Sequence, residues 1–240
     1  HTTKCRCRNN PIENFIILGI VMAEIRYTFT DDTAMPVGTM YCIGKNYAAH
    51  TREMGGEVPA SPVVFLKPPA AYLADGGVIR IPSFSQLVHH EVEMVVVIGE
   101  DCANVSRADA ARYIAGYGIG LDMTLRDVQN EAKKKGEPWA IAKGFVTSAP
   151  LSAIIPASQF DGIPDFDLTL TVNDVVRQSG TTRMMERPVD LLIEYLSSVF
   201  TLRRGDCIFT GTPEGVGAVQ SGDKLHAELA GTVTLDVSVV

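Results

Sequence analysis

A chain of 240 residues with 46% hydrophobic content has material for one large domain or two small ones. Its net charge of −7 argues against nucleic acid or an anionic membrane as partner. Its five cysteines (Cys5, Cys7, Cys42, Cys102, Cys207) are odd in number and lack zinc-site spacing beyond one Cys-x-Cys, which suits a reduced, cytoplasmic protein better than a disulfide framework.

Residues 1–21 differ in character from the rest of the chain. A basic, cysteine-bearing stretch precedes the apolar run Asn14 to Val21, which is too short to span a bilayer. The reading is an N-terminal extension, with Met22 as the natural start and 22–240 as a single catalytic domain. If ordered, the apolar run is expected to pack on the body or on a partner chain.

From Ala23 the chain reads as short strands and turns. Met40 to Gly44 is a buried strand ending in glycine. Ala48 to Met54 favours helix, and Gly55-Gly56 stops it. On that helix His50 and Glu53 lie three apart on one face. A carboxylate there can hold an imidazole in one tautomer and raise its basicity. Taken alone, such a spacing is more often a surface pair than a catalytic dyad. Pro62 to Pro69 is a strand cut off by prolines, so it lies at an edge or enters a loop, and Lys67 in it reads as a solubilising charge.

Val88 to Gly99 is the organising stretch. β-branched residues dominate it and a glycine closes it, so it reads as one strand. Residues two apart in a strand share a face, which sets Glu91 beside Glu93, with Val92 opposite. Two carboxylates at the head of an apolar strand repel each other and lose hydration, and a hard divalent cation would neutralise them. The alternative is a solvated strand end.

Ser106 to Ala115 has helix character, with Ser106 as N-cap and Asp109 three residues on. The alternating glycines of Gly116 to Gly120 suit a strand that another backbone approaches closely, and their spacing is not a dinucleotide fingerprint. Asp122 comes next, and Thr124 could cap a helix Leu125 to Lys135. That helix would carry Arg126 and Gln129 on one face and end in a solvated run, Lys133 to Lys135.

Lys143 sits in the apolar, glycine-flanked context of Trp139 to Phe145. It either snorkels or has an acidic partner. Phe166 to Gln178 reads as a hairpin around Asn173-Asp174. Pro188 to Phe200 reads as a helix with Leu191, Leu192, Tyr195, Leu196 and Val199 as its buried stripe. Cys207 to Gly217 is a strand running into a glycine-rich loop whose amides and threonines could bind an anion such as a carboxylate. Two strands, Asp223 to Leu229 and Thr232 to Val239, end the chain. The class is α+β, mostly β.

Taken together, Gly44 to His50, Phe65 to Pro68, His90 to Glu93, Gly120 to Thr124, Arg126 to Gln129, Ala142 to Phe145 and Thr210 to Gly217 resemble the fumarylacetoacetate hydrolase family over residues 38–240. The likeness is to its short, single-domain subgroup of acylpyruvate hydrolases and 2-hydroxyhepta-2,4-diene-1,7-dioate isomerases. It implies a mixed β-roll of the C-terminal-domain type, usually a homodimer. It also implies a Mg²⁺ site, with Mn²⁺ or Ca²⁺ as substitutes, made by Glu91, Glu93 and Asp122. Three carboxylates leave about three octahedral positions, two of which a 2-oxo acid can fill. His50 and Glu53 match the water-activating dyad, Lys143 an enolate-stabilising lysine, and Arg126, Gln129 and Thr212 the substrate-lining positions. The first expectation is hydrolysis of the C–C bond of an acylpyruvate, such as fumarylpyruvate or acetylpyruvate, to pyruvate and a carboxylic acid. The alternatives are a decarboxylase or isomerase of a 2-oxo diacid (oxaloacetate or an intermediate of aromatic catabolism), and a non-catalytic metal-stabilised β protein.

Overall fold

The computed structural model describes residues 24–53 and 55–240. The expected extension over 1–21, its packing and the start at Met22 lie outside these residues. The described chain is mostly β, in the mixed roll expected.

An eight-stranded sheet forms the frame. Its path runs Val63–Lys67, Met40–Gly44, Cys207–Phe209, Val92–Ile98, Ile114–Leu121, Ala149–Leu151 and Tyr72–Ala74, with Ile155–Pro156 also paired to Ile114–Leu121. Val63–Lys67 lies at the edge, the first of the two placements its prolines suggest. Cys207–Phe209 runs parallel to Met40–Gly44 and antiparallel to Val92–Ile98. Ile114–Leu121 is antiparallel to the latter, with Val92 opposite Leu121. This register brings together the exits of three strands and the entrance of a fourth. Lys45, Thr210, Asp122 and Glu91 therefore gather at one end of the sheet.

The glycine strand shows why the pairing is so close. A Cβ on Gly120 would lie 2.9 Å from Val95 Cγ2 and 3.1 Å from the Pro150 carbonyl, and one on Gly116 would lie 2.3 Å from the Ile155 carbonyl. Only glycine lets these backbones meet.

Strict alternation in Val92–Ile98 then sorts side chains to two faces. Val92, Met94, Val96 and Ile98 meet a layer made by a five-stranded sheet and the helix Val189–Val199. Val95 and Val97 meet Tyr27, Met40, Cys42 and Phe209 on the other side. The five-stranded sheet contains the expected hairpin, Asp167–Val172 and Val175–Thr181, turning through Asn173 and Asp174 at φ 51° and 64°. Positive φ at both positions matches the twist of flanking strands.

Four expectations change. Val88 to Gly99 is not one strand: Val88–His90 pairs with Thr124–Leu125 and Gly217–Val219 in a separate three-stranded sheet. Glu91 is the corner between the two sheets. The Ser106 region is a 3-10 helix, Arg107–Tyr113, in which the Ser106 hydroxyl bonds the Asp109 side chain rather than capping an amide. Thr124 does not cap the helix Arg126–Lys135, whose C-terminus ends on left-handed Gly136. In Val189–Val199 the buried stripe is Val189, Leu192, Ile193 and Leu196, while Val199 is 58% exposed. The stripe is rotated because Val189 and Ile193 complete an equally apolar i, i+3, i+4, i+7 row.

Candidate active site

Glu91, Glu93 and Asp122 each offer an oxygen such that all three lie within 4.8 Å of one another, and all three residues are buried. Backbone pairing sets this up: the Asp122 amide donates to the Glu91 carbonyl at 2.8 Å, and Glu93 stands opposite Gly120. Glu93 shares the face of Val95 and Val97, while Glu91 reaches the cluster from the corner.

The cluster is only partly neutralised. Lys143 Nζ donates to Glu91 Oε2 at 2.8 Å, Asp122 Oδ2 at 2.5 Å and Thr124 Oγ1 at 2.6 Å. Arg126 Nη2 donates to Glu91 Oε1, and Arg126 Nη1 to Gln129 Oε1 at 2.7 Å. Lys143 is thus the acid-paired lysine, not a snorkelling one. Burial opposes ionisation of Glu91, but Lys143 and Arg126 outweigh it and hold the carboxyl well below its usual range. The same pairing raises Lys143 against its burial, with Asp122 the stronger partner.

Glu93 is the contrast. It accepts the Gly211 amide at 2.8 Å, and among the described residues no cation pairs with it. Burial, then the charges of Asp122 and Glu91, push its carboxyl well above 4.5. Asp122 Oδ1 is buried without a directed hydrogen bond, although Lys67 Nζ lies 2.9 Å away. Three oxygen donors, one lacking a cation and one carrying an orphaned atom, fit a hard divalent ion such as Mg²⁺, Mn²⁺ or Ca²⁺.

Lys67 corrects the expectation of a solubilising charge. It is fully buried, and its ammonium contacts the carbonyls of Met123, Lys143 and Ser148 as well as Asp122. A lysine in a Val-Val-Phe-Leu strand was the available signal, masked by the prolines after it.

Four of the remaining expected residues, His50, Arg126, Gln129 and Thr212, line the same cleft with the carboxylates. His50 Nδ1 lies 3.4 Å from Glu53 Oε2 on the helix Ala48–Glu53. Glu53 lies at the edge of this group and does not line the cleft. The Thr212 loop does bind two carboxylates, but both belong to the protein. Gly211 N holds Glu93, and Gly215 N holds Glu53 through both its oxygens at 3.2 Å. Gly211 has φ +100°, and a Cβ there would lie 2.7 Å from Asn46 Cβ, so the loop needs glycine at that point.

The residue that ties these parts together is Gln178, missed in the sequence because it sits in an ordinary alternating hairpin. It is buried in a strand whose neighbours are largely exposed. Its Oε1 accepts the Val92 amide at 3.0 Å and faces His90 Nδ1 at 2.9 Å. Its Nε2 donates to Thr212 Oγ1 at 2.8 Å and the Pro213 carbonyl at 2.9 Å. It grips the chain on both sides of Glu91 and fixes the Thr212 loop. Beside it, burial and then Arg126 bring the His89 pKa down to about 4, so that ring is neutral and accepts from Arg126 Nε at 3.4 Å.

Residues 39–240 match the family described as "Fumarylacetoacetate (FAA) hydrolase C-terminal". The chain is 48% identical over 202 residues to oxaloacetate tautomerase YcgM of Escherichia coli (strain K12), covering 84% of this chain and 90% of that protein. It is 44% identical over 198 residues to the mitochondrial oxaloacetate tautomerase FAHD1 of Homo sapiens, covering 82% and 90%. Its fold is similar, at TM-score 0.88 and 38% identity, to the crystal structure of fumarylpyruvate hydrolase from Pseudomonas aeruginosa in complex with Mn²⁺ and pyruvate, covering 93% of this chain and 98% of that one. The chain belongs to the fumarylacetoacetate hydrolase family.

Proposed function

We propose that residues 22–240 form one catalytic domain of a divalent-metal-dependent enzyme that interconverts the enol and keto forms of a 2-oxo dicarboxylate, oxaloacetate first among them. The observation that carries this reading is the single cleft in which Glu91, Glu93, Asp122, Lys143 and His50 meet. Similarity to the E. coli and human oxaloacetate tautomerases supports the substrate. It moves the 2-oxo diacid isomerase ahead of the hydrolase that the sequence favours.

A divalent cation held by Glu91, Glu93 and Asp122 would supply Lewis-acid stabilisation of negative charge on the 2-oxo acid. The protein's own groups do the rest. Glu53 accepts from His50 Nδ1–H, which leaves the lone pair on Nε2 to take a proton from the carbon next to the keto group. Lys143 sets a fixed positive charge beside the oxygen that gains charge. Arg126 and Gln129 present donors to the 2-oxo carboxylate, and the Thr212 hydroxyl borders it. In the enol-to-keto direction His50 returns its proton to carbon and the enol O–H gives its own to water, so the protons balance and no co-reactant is consumed.

A second reading keeps this site and adds water. His50 with Glu53 is a base that can activate water for C–C hydrolysis of an acylpyruvate. Likeness to the P. aeruginosa fumarylpyruvate hydrolase supports it. The wider proposal includes a homodimer and a reducing compartment, in keeping with the free thiols of Cys42, Cys102 and Cys207. No helix among the described residues is long and apolar enough to cross a membrane.

The test monitors enol absorbance of oxaloacetate and pyruvate release from acetylpyruvate and fumarylpyruvate in parallel, on stripped protein and on protein reloaded with Mg²⁺ or Mn²⁺. The expected result is metal-dependent loss of the enol that Glu91→Ala abolishes together with metal binding. His50→Ala should keep the metal and lose about 10²–10⁴-fold in rate. Faster pyruvate release from the acylpyruvates would establish the hydrolase instead. Equal rates in stripped protein would overturn both readings.

A further inference from the structure

Four cationic side chains, Lys45, Arg126, Lys133 and Lys143, line a cleft that holds three carboxylates, in a protein of net charge −7. Arg126 and Lys143 are engaged by those carboxylates. Lys45 and Lys133 make no ion pair among the described residues, and a divalent ion on the acidic cluster would leave still more positive charge uncompensated.

The helix Arg126–Lys135 explains where Lys133 stands. Arg126, Gln129 and Lys133 fall at i, i+3 and i+7, which is one face of a helix. At 1.5 Å per residue, Lys133 lies about 10 Å further along the axis than Arg126, out from the Glu91 contact. The run read as a solvated helix end is exposed throughout, but its members differ in their neighbours. Lys134 pairs with Glu131 at 2.7 Å, while Lys133 lines the cleft mouth, its ammonium 5.3 Å from the Trp139 ring centroid. Trp139 also lines the cleft, so its face steadies the lysine stem. Partial burial, then crowding by Arg126, lowers the pKa of Lys133; Glu91 opposes this, and Lys143 and Lys45 add to it. Such crowding is relieved by an anion placed among these groups.

Lys45 comes from the sheet side. It directly succeeds the strand Met40–Gly44 and holds φ 60°, a left-handed backbone that a lysine seldom adopts. Its side chain lines the cleft, and a Cβ on Gly56 would lie 2.9 Å from its ammonium.

We propose that Lys45 and Lys133 form a distal carboxylate subsite, which selects 2-oxo dicarboxylates over 2-oxo monocarboxylates. This rests on the 2-oxo acid reading of the carboxylate cluster. That end of the substrate takes the floor of the cleft, and its second carboxylate meets the two lysines at the mouth. A monocarboxylate would leave both ammonium groups without a counter-charge.

The matched probes are oxaloacetate and 2-oxobutyrate, which share four carbons and differ in a terminal carboxylate against a methyl. Affinities are measured by calorimetry on Mg²⁺-loaded wild type, Lys45→Met, Lys133→Met, the double variant and Lys133→Arg, with melting curves to verify folding. Wild type should bind oxaloacetate at least roughly tenfold more tightly than 2-oxobutyrate. The double variant should lose that preference while its 2-oxobutyrate affinity stays within about threefold, and Lys133→Arg should retain it. A preference unchanged in the double variant, or an equal loss for both ligands, would overturn the subsite and leave the reaction reading intact. Wild type binding neither ligand would overturn that reading and the subsite with it.

Discussion

At the floor of the cleft Lys143 Nζ has three oxygens within 2.8 Å, whereas at the mouth His50 and Glu53 meet at 3.4 Å. The floor is closed to water: the Asp122 side chain is 1% exposed and that of Lys143 3%. Glu53 is 37% exposed, on a helix of only six residues. The difference separates two tasks. Charges at the floor are fixed by strands and by each other, so they define where a cation and a 2-oxo acid sit. Groups at the mouth are held loosely enough to adjust when substrate arrives, and proton transfer needs that closing of distance.

The largest expected effect breaks the floor. Lys67→Met removes the partner of Asp122 Oδ1 and leaves three inward carbonyls short of a donor. Loss of one member of a buried pair costs about 3–5 kcal/mol. Lys143→Met should behave differently, because Lys143 contacts Glu91 Oε2 and Asp122 Oδ2, carboxylate oxygens that a metal could also draw on. In urea titrations Lys67→Met should be destabilised with and without Mg²⁺, while Mg²⁺ should restore much of what Lys143→Met loses. Equal rescue of both would mean that Lys67 belongs to the metal's charge balance rather than to the frame.

Gln178→Leu comes next, and it attacks the connection between floor and mouth. It leaves the Val92 amide buried without its acceptor and frees the Thr212 loop. The unsatisfied group costs about 1–3 kcal/mol. A rise in KM and about tenfold weaker metal binding should accompany it, since orienting partners around a metal site typically matter to that degree. Loss of stability alone, with both constants unchanged, would reduce Gln178 to a core residue.

A smaller effect reads the floor through pH. Because Glu93 carries a pKa raised above 4.5, it retains a proton in the metal-free fold at pH values where the unfolded chain has lost it. Stability of the metal-free protein therefore falls as pH rises above the unfolded value. Metal displaces that proton, so the stabilisation given by Mg²⁺ should grow with pH, by up to about 1.4 kcal/mol per unit for one proton. Melting temperatures with and without Mg²⁺ between pH 5 and 8 measure it, and a gap independent of pH would remove Glu93 from the ligand set.

The floor was the more legible half in the sequence. Glu91 and Glu93 stand in a β-branched run whose period sets them on one side, and the alternating glycines announce a close backbone approach, while Asp122 joins them only through the family resemblance. What stayed hidden depends on contacts between distant segments. Nothing local distinguishes Lys67 from a solvated strand end, Gln178 from any hairpin glutamine, or Lys133 from Lys134. The bend at Glu91 was hidden for the same reason, since the Asp122 and Gln178 contacts that hold it lie 31 and 87 residues away.

The mouth is tested by Glu53→Gln, the smallest change. Glutamine keeps the length of the side chain and an oxygen for the Gly215 amide and for His50 Nδ1–H, but it removes the negative charge. An exposed pair of this kind contributes about 0–1 kcal/mol to stability, so the melting temperature should stay close to that of wild type. A weaker hold on the imidazolium that forms during proton transfer should lower kcat by roughly tenfold, with KM little changed, because the interaction strengthens only as charge develops. Metal affinity is the decisive second reading. Glu53 and Glu93 hang from the same loop, through Gly215 and Gly211. If metal binding weakens along with kcat, the loop transmits strain from mouth to floor and the two ends are one device. If only kcat falls, the loop is a rigid shelf, and the floor can be loaded and measured without regard to the base above it.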